Sequence, residues 1–224
     1  MTDNVMTKDD IRKQILAKRD SYTEAETEEK SRKIFEILTG IREYQNATDV
    51  LIYASTRSEV ATDDIILDCL SEGKRVFCPK VTDRKASEMK FVRIYSPEDL
   101  KEGYFGIREP EIGPDSEIYG EACPKSAGKL HAASVDADRE ADVSFPLMIM
   151  PGVAFDRKMG RIGYGGGFYD RYLAKNKEIP TIALCFDCQI YEGRLPLEPE
   201  DLRPDSIITC NEIIGAGEDE SQID

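Results

Sequence analysis

The chain has 224 residues, and 44 acidic against 30 basic side chains leave it a net charge of −14. That sign disfavours nucleic acid and anionic lipid as partners, because both bind mainly through neutralisation of phosphate, and neither partner is expected. With 40% hydrophobic residues in recurring runs the chain can bury a core. No run approaches the ~20 apolar residues of a membrane span, and Met1 to Asp10 carries no hydrophobic signal core, so a soluble, cytoplasmic protein is expected.

Thr7 with Asp10 can cap a first helix bearing Ile11, Ile15 and Leu16. Thr23 with Glu26 reads as a capping box for a second, which carries Ile34, Phe35, Ile37 and Leu38 and stops near Gly40. A buried strand follows from Asp49 to Ala54, then a helix capped by Thr62 through Leu70, with Gly73 ending it. Strands are predicted over Lys74 to Pro79 and Met89 to Ile94, and Ser96-Pro97 reads as a helix start. Pro146 to Met150 is a core strand, Gly167 to Lys175 a helix, Pro180 to Phe186 a strand, and Ser206 to Thr209 a last short strand. This alternation predicts an α/β fold in three layers, a mostly parallel, Rossmann-like sheet with helices on both faces. Residues 1–214 are expected to form one α/β domain. Within it 111–144, rich in Gly, Ser, Ala, Asp and Glu, reads as a long surface loop, and 215–224 is an acidic tail.

Cysteine and histidine exclude more than they suggest. Of six cysteines only Cys185 and Cys188 form a C-x-x-C, and it lies in an apolar run that reads as strand. With no second ligand pair and no helix opening behind it, the motif reads as structural and not as a redox or zinc site. The single histidine, His131, sits in a segment without periodicity and reads as an exposed loop residue. Chemistry in this chain is therefore expected to rest on charge stabilisation and positioning.

One segment departs from its surroundings. Residues 151–177 hold six basic side chains against two acids, a local balance of +4 in an acidic chain, with glycines at 160, 163, 165, 166 and 167. A glycine-rich turn between a strand and a helix offers unpaired N–H groups to phosphate. The run is neither a Walker A loop nor a G-x-G-x-x-G fingerprint, since no Gly-Lys-Ser/Thr ends it and position 168 is phenylalanine. Arg161, Lys158 and the helix behind the turn favour a phosphate site over a merely flexible loop. Asp170 at the start of that helix suits either Mg²⁺ or the helix dipole. Of Phe168 and Tyr169, one is expected in the core and the other free to stack on a flat heterocycle.

The run from Met159 to Asp170 (Met-Gly-Arg-Ile-Gly-Tyr-Gly-Gly-Gly-Phe-Tyr-Asp), behind Pro151-Gly-Val-Ala-Phe-Asp156, resembles the 5-formyltetrahydrofolate cyclo-ligases, also called methenyltetrahydrofolate synthetases. Lys8-x-x-x-Arg12 is similar to that family's opening pair, Ser58-Glu59-Val-Ala-Thr62 to its folate-binding turn, and Phe105-Gly-Ile-Arg-Glu-Pro110 to the segment before its variable loop. Glu198-Pro-Glu-Asp201 looks like its closing acidic element, so the likeness spans about residues 8–110 and 145–212. Three positions depart from the pattern: Met159 where glycine is frequent, Gly166 where some members have lysine, and Phe168 where most have tyrosine.

The resemblance implies ATP and Mg²⁺ as cofactors and 5-formyltetrahydrofolate, in free or polyglutamylated form, as substrate. ATP would lie among Lys8, Arg12, Lys158, Arg161, Gly163, Tyr164, Gly165, Gly166 and Gly167, with Arg161 and Lys8 acting on the reacting phosphate. Asp170 and Asp201 would bind Mg²⁺. Ala54, Glu59, Phe168 and Tyr169 would hold the reduced pterin and its formyl group. The implied reaction phosphorylates the formyl oxygen, and attack by N10 then gives 5,10-methenyltetrahydrofolate, ADP and phosphate. Each residue also has a plain structural alternative: Lys8 and Arg12 are i, i+4 helix-surface charges, and Asp201 suits a turn cap. The rival readings are another phosphoryl or sugar-phosphate enzyme on a similar scaffold, or a non-catalytic phospho-ligand sensor.

Overall fold

Short apolar runs become the strands of a seven-stranded sheet in the computed structural model, which describes residues 6–103, 106–122 and 144–215. Its strands are β1 (Asp49–Ile52), β2 (Arg75–Asp83), β3 (Glu88–Ile94), β6 (Pro146–Met150), β9 (Thr181–Leu184), β11 (Ser206–Ile208) and β12 (Ile213–Gly215). They lie in the order β12-β11-β9-β6-β1-β2-β3, parallel throughout except for the antiparallel edge strands β12 and β3. A hairpin, β4 (Leu100–Glu102) with β5 (Arg108–Pro110), and a small sheet of β10 (Ile190–Tyr191), β7 (Ala154–Asp156) and β8 (Arg161–Ile162) complete the strands.

The two-residue period of the strands decides the layers. Val50 and Ile52 of β1 face α2 (Glu24–Gly40) and α4 (Asp63–Ser71), packing with Ile34, Leu38, Ile65 and Ile66. Leu51, between them, faces the opposite core with Met148, Phe155 and Leu173, the last from α5 (Phe168–Lys175). Each of these fully buried side chains contributes about 1.5–3 kcal/mol. A third cluster seats α1 (Lys8–Arg19) on the small sheet through Ile11, Ile15, Val153, Ala154 and Ile162. The expected three-layer, mostly parallel α/β sheet is therefore observed.

Both predicted capping boxes form, Thr7 with Asp10 and Thr23 with Glu26. The one-turn helix α3 (Arg42–Asn46) follows where none was expected. Ser96-Pro97 opens only a 3₁₀ turn over Pro97–Asp99, because Leu100 is already paired with Pro110 in the β4–β5 hairpin. Thr62 stands at the start of α4 without capping it. Its hydroxyl donates to the Tyr53 carbonyl at 2.9 Å and accepts from the Ser55 N–H at 2.9 Å, tying the helix to the end of β1.

Residues 116–121 lie along β3, with backbone bonds Arg93 N to Glu117 O (2.8 Å) and Tyr119 N to Phe91 O (2.9 Å). His131, Cys123 and the rest of 123–143 lie outside the described residues, as does 216–224. The strand predicted to Phe186 ends at Leu184, so Cys188 belongs to a 3₁₀ turn, Asp187–Gln189. The buried Gln189 side chain makes that break, accepting from Phe186 N and donating to the Gly152 and Val153 carbonyls. Among the described residues the cysteines are free thiols, and no helix is long and apolar enough to cross a membrane.

Candidate active site

In an open parallel sheet, ligands collect outside the carboxyl ends of the strands where the strand order reverses. Here that point falls between β1 and β6, since the chain moves outward from β1 to β2 on one side and from β6 to β9 on the other. Tyr53 and Ala54 leave β1 there, and Pro151 and Gly152 leave β6. Tyr53, Pro151 and Gly152 line a narrow crevice with Arg19, Glu59 and Gln189.

Helix α1 runs past this crevice with three cations on one stripe. Lys8, Arg12 and Arg19 are spaced by four and seven residues, which puts them within about 40° of one another around the helix. Lys8 Nζ meets Asp201 at 2.5 Å and Glu198 at 3.1 Å. Burial pulls the Lys8 pKa down, but the hydrogen bonds to those carboxylates outweigh it and hold the ammonium above its ordinary value. Arg12 Nε donates to the Gly163 carbonyl at 2.8 Å, and Arg12 also pairs with Asp9 at 2.5 Å.

The glycine run passes directly under these guanidinium groups. A Cβ on Gly163 would stand 3.0 Å from Arg161 Nη1, and one on Gly165, where φ is +95°, 3.7 Å from Arg12 Cζ. Gly167 has φ +66° and is the N-cap residue of α5. Side chains here would displace the cations or strain the backbone, which is the physical requirement for glycine. Arg161 is only 4% exposed, donates to Asp170 at 2.7 Å and lies over the Tyr169 ring at 5.9 Å. Its Nε is buried with no hydrogen-bond partner among the described residues. A buried charged donor left unpaired is costly, and such groups gather where a ligand completes them.

Asp170 also accepts from Leu202 N at 3.1 Å, and Asp201 from Glu198 N at 2.6 Å. Asp170 is thus bonded to the residue that follows Asp201, and Asp201 fills the turn-cap role as well. Among the described residues no three His, Cys, Asp or Glu side chains cluster as a complete metal cage. A site with one or two carboxylates is chemically suited to Mg²⁺, which takes few protein oxygens and completes its shell with phosphate and water.

Glu59 lies in the crevice, 7% exposed. It accepts from Thr56 N at 2.9 Å and from the Tyr164 hydroxyl at 2.6 Å. Burial pushes its carboxyl above the ordinary value, and those hydrogen bonds together with the charge of Arg19 offset this only in part. Tyr164 thus joins the glycine run to the crevice, its phenol pushed up by burial and by Glu59. Ala54 is buried at the strand end. Phe168 and Tyr169 are both half-buried against the second core, so neither is free; Tyr169 packs edge-on to Phe91, and its hydroxyl is buried without a partner among the described residues.

Lys158 is not brought to the glycine run. The β7–β8 pairing of Phe155 with Arg161 and Ala154 with Ile162 puts the 157–160 turn at the opposite end of the hairpin from Gly163. Lys158 there lines a surface depression with Arg157, Tyr191 and Arg194. Met159, standing where glycine is frequent in the resembling family, adopts φ +65° and is 6% exposed. Its packing in the second core offsets a left-handed strain of about 1–2 kcal/mol. Gly166 cannot readily carry a side chain, because its Cβ would lie 2.7 Å from the Phe168 ring. Arg19 was not singled out from the sequence; its helical register with Lys8 and Arg12 is the signal that marks it.

Fold and site together define the class: an α/β protein with a mostly parallel sheet, a crevice at its switch point, and a glycine-rich turn flanked by guanidinium groups. Within that class the chain belongs to the 5-formyltetrahydrofolate cyclo-ligase family, whose model matches residues 4–123 and 124–210, and it is a ligase. It is 28% identical over 201 residues to the 5-formyltetrahydrofolate cyclo-ligase of Haemophilus influenzae, covering 89% of this chain and 95% of the relative. With the mitochondrial 5-formyltetrahydrofolate cyclo-ligase of Arabidopsis thaliana it shares 32% over 195 residues, 76% of this chain and 62% of the relative. The solved structure of Aquifex aeolicus 5,10-methenyltetrahydrofolate synthetase superposes with a TM-score of 0.73 at 27% identity, covering 98% and 97% of the two chains.

Proposed function

We propose that the chain converts 5-formyltetrahydrofolate and ATP, with Mg²⁺, into 5,10-methenyltetrahydrofolate, ADP and phosphate. A formamide carbon is a poor electrophile and the arylamine N10 a poor nucleophile. The formyl oxygen therefore takes the γ-phosphoryl group, N10 closes the ring at the formyl carbon, and phosphate departs with that oxygen. Transfer of this kind needs alignment and charge neutralisation above all, and no histidine.

The observation that carries the reading is Arg161: a buried guanidinium, paired with Asp170, its Nε unpartnered, set against the backbone of Gly163. In this proposal Arg161, Lys8 and Arg12 neutralise the phosphates while the amides of residues 163–167 receive their oxygens. Asp170 and Asp201 would hold Mg²⁺, which would supply charge stabilisation to the phosphates. Glu59 accepts from N–H groups of the pterin, and Ala54, Phe168 and Tyr169 provide its apolar wall. Lys158 is left out of the nucleotide site. A cytoplasmic location and tolerance of polyglutamylated substrate belong to the same proposal.

The test is absorbance in the methenyl product's near-ultraviolet band with and without ATP and Mg²⁺. Product that appears only with both is expected; product that ignores ATP, or none from fresh substrate, rejects the reading. A phospho-ligand sensor has no use for paired Asp170 and Asp201, and it would bind nucleotide without turnover.

A further inference from the structure

We infer that Arg19 is a substrate-recognition residue, forming with Glu59 a donor–acceptor pair that reads the lactam edge (adjacent N–H and C=O) of the bound pterin. The inference rests on the folate reading above and adds to it a residue and a chemical preference. Arg19 is 3% exposed, although it ends a surface helix. Its Nε donates to Ser58 Oγ at 3.0 Å, and Ser58 donates in turn to Asp20, so the guanidinium plane is fixed at the mouth of the crevice.

Its Nη1 donates to the Tyr164 hydroxyl at 2.9 Å, and that same hydroxyl donates to Glu59 at 2.6 Å. One phenol oxygen therefore accepts from Arg19 and donates to Glu59. A ligand replacing it must present an acceptor beside a donor. The reduced pterin carries that pair in its pyrimidinone ring, where the 4-oxo group adjoins the ring N–H. Tyr164 is the place-holder. It comes from the exposed glycine run, its ring is exposed, and only its hydroxyl reaches inward, so it can leave without disturbing the core.

Calorimetric titration of the intact, nucleotide-free protein with 5-formyltetrahydrofolate and with its 4-amino analogue tests this, because the analogue reverses the pair, with a donor at position 4 and an acceptor at the neighbouring ring nitrogen. The wild type is expected to bind the 4-oxo compound more tightly. In Arg19→Gln that preference should fall about ten- to a hundredfold, the range for loss of a charge-assisted hydrogen bond. Arg19→Lys, which keeps a cation should the glutamine variant fail to fold, should show a smaller fall. Tyr164→Phe should bind the 4-oxo compound several-fold more tightly with the preference retained. A purely structural Arg19 would weaken both ligands equally, so an unchanged preference in both arginine variants overturns the inference alone. Weaker binding in Tyr164→Phe would overturn the place-holder role. Absence of any wild-type binding would remove the folate reading itself.

Discussion

Replacing Arg161 by alanine separates the proposed chemistry from folding and from folate binding. The side chain is buried, and its loss leaves Asp170 with only the Leu202 N–H as partner among the described residues. Breaking a fully buried ion pair costs about 3–5 kcal/mol. Asp170 is a quarter exposed, so water recovers part of that, and about 1–3 kcal/mol is expected. For a chain of this length that lowers Tm by roughly 2–12 °C and leaves the protein folded at 25 °C. Turnover should fall much further. A donor preorganised on developing phosphoryl charge is worth about 10²–10³ in kcat, and Arg161 is the most buried cation beside Gly163. The KM for 5-formyltetrahydrofolate should move by less than about threefold, since in this proposal Arg161 holds the nucleotide, and the larger KM change falls on ATP. Arg161→Lys, which keeps the charge and loses the fork, should recover about tenfold. Steady-state kinetics with both substrates varied, beside a thermal melt of each variant, measures all of this. A folded alanine variant turning over within tenfold of the wild type would refute the role.

Glu59→Gln should raise the folate KM far more than the ATP KM; equal effects would count against its place in the pterin site. Because burial raises the Glu59 carboxyl above its unfolded value, the wild type binds more protons when folded and loses stability as pH rises from about 4.5 through the folded value. The glutamine variant lacks that loss, so its Tm relative to wild type should increase from pH 4.5 to pH 7.5; a constant difference would contradict the sign. Gly160→Ala drives a Cβ to 2.5 Å from an Asp156 carboxylate already held by the Lys158, Gly160 and Leu195 N–H groups. It should cost about 1–3 kcal/mol by chemical denaturation without altering either KM, and a neutral substitution would show that the turn can yield. Asp201→Asn should raise the half-saturating Mg²⁺ concentration about tenfold, whereas an unchanged Mg²⁺ curve would remove Asp201 from the metal.

The fold was legible because its signals are local. Capping boxes at Thr7 and Thr23 and apolar runs at 49–54 and 146–150 report directly on neighbouring residues. What escaped was decided at long range. Leu100 pairs with Pro110 and cuts short the helix that Ser96-Pro97 would open, and Gln189 reaches back to Gly152 and ends β9 before Cys185. In the site the glycine run advertised itself, since few other demands explain glycine at 163, 165 and 167. Lys158 is close to it in sequence yet sits at the other end of a short hairpin. Arg19 is the reverse: 145 positions before Tyr164, joined to it through a helix face that composition does not display.

The most direct measurement is of the backbone itself. In ¹⁵N-labelled protein, a non-hydrolysable ATP analogue with Mg²⁺ should shift the amide resonances of Gly163, Gly165, Gly166 and Gly167 together and slow their hydrogen exchange, as N–H groups gain phosphate oxygens. If the nucleotide binds while those four amides keep their positions and exchange rates, the triphosphate lies elsewhere and the account of the site is wrong.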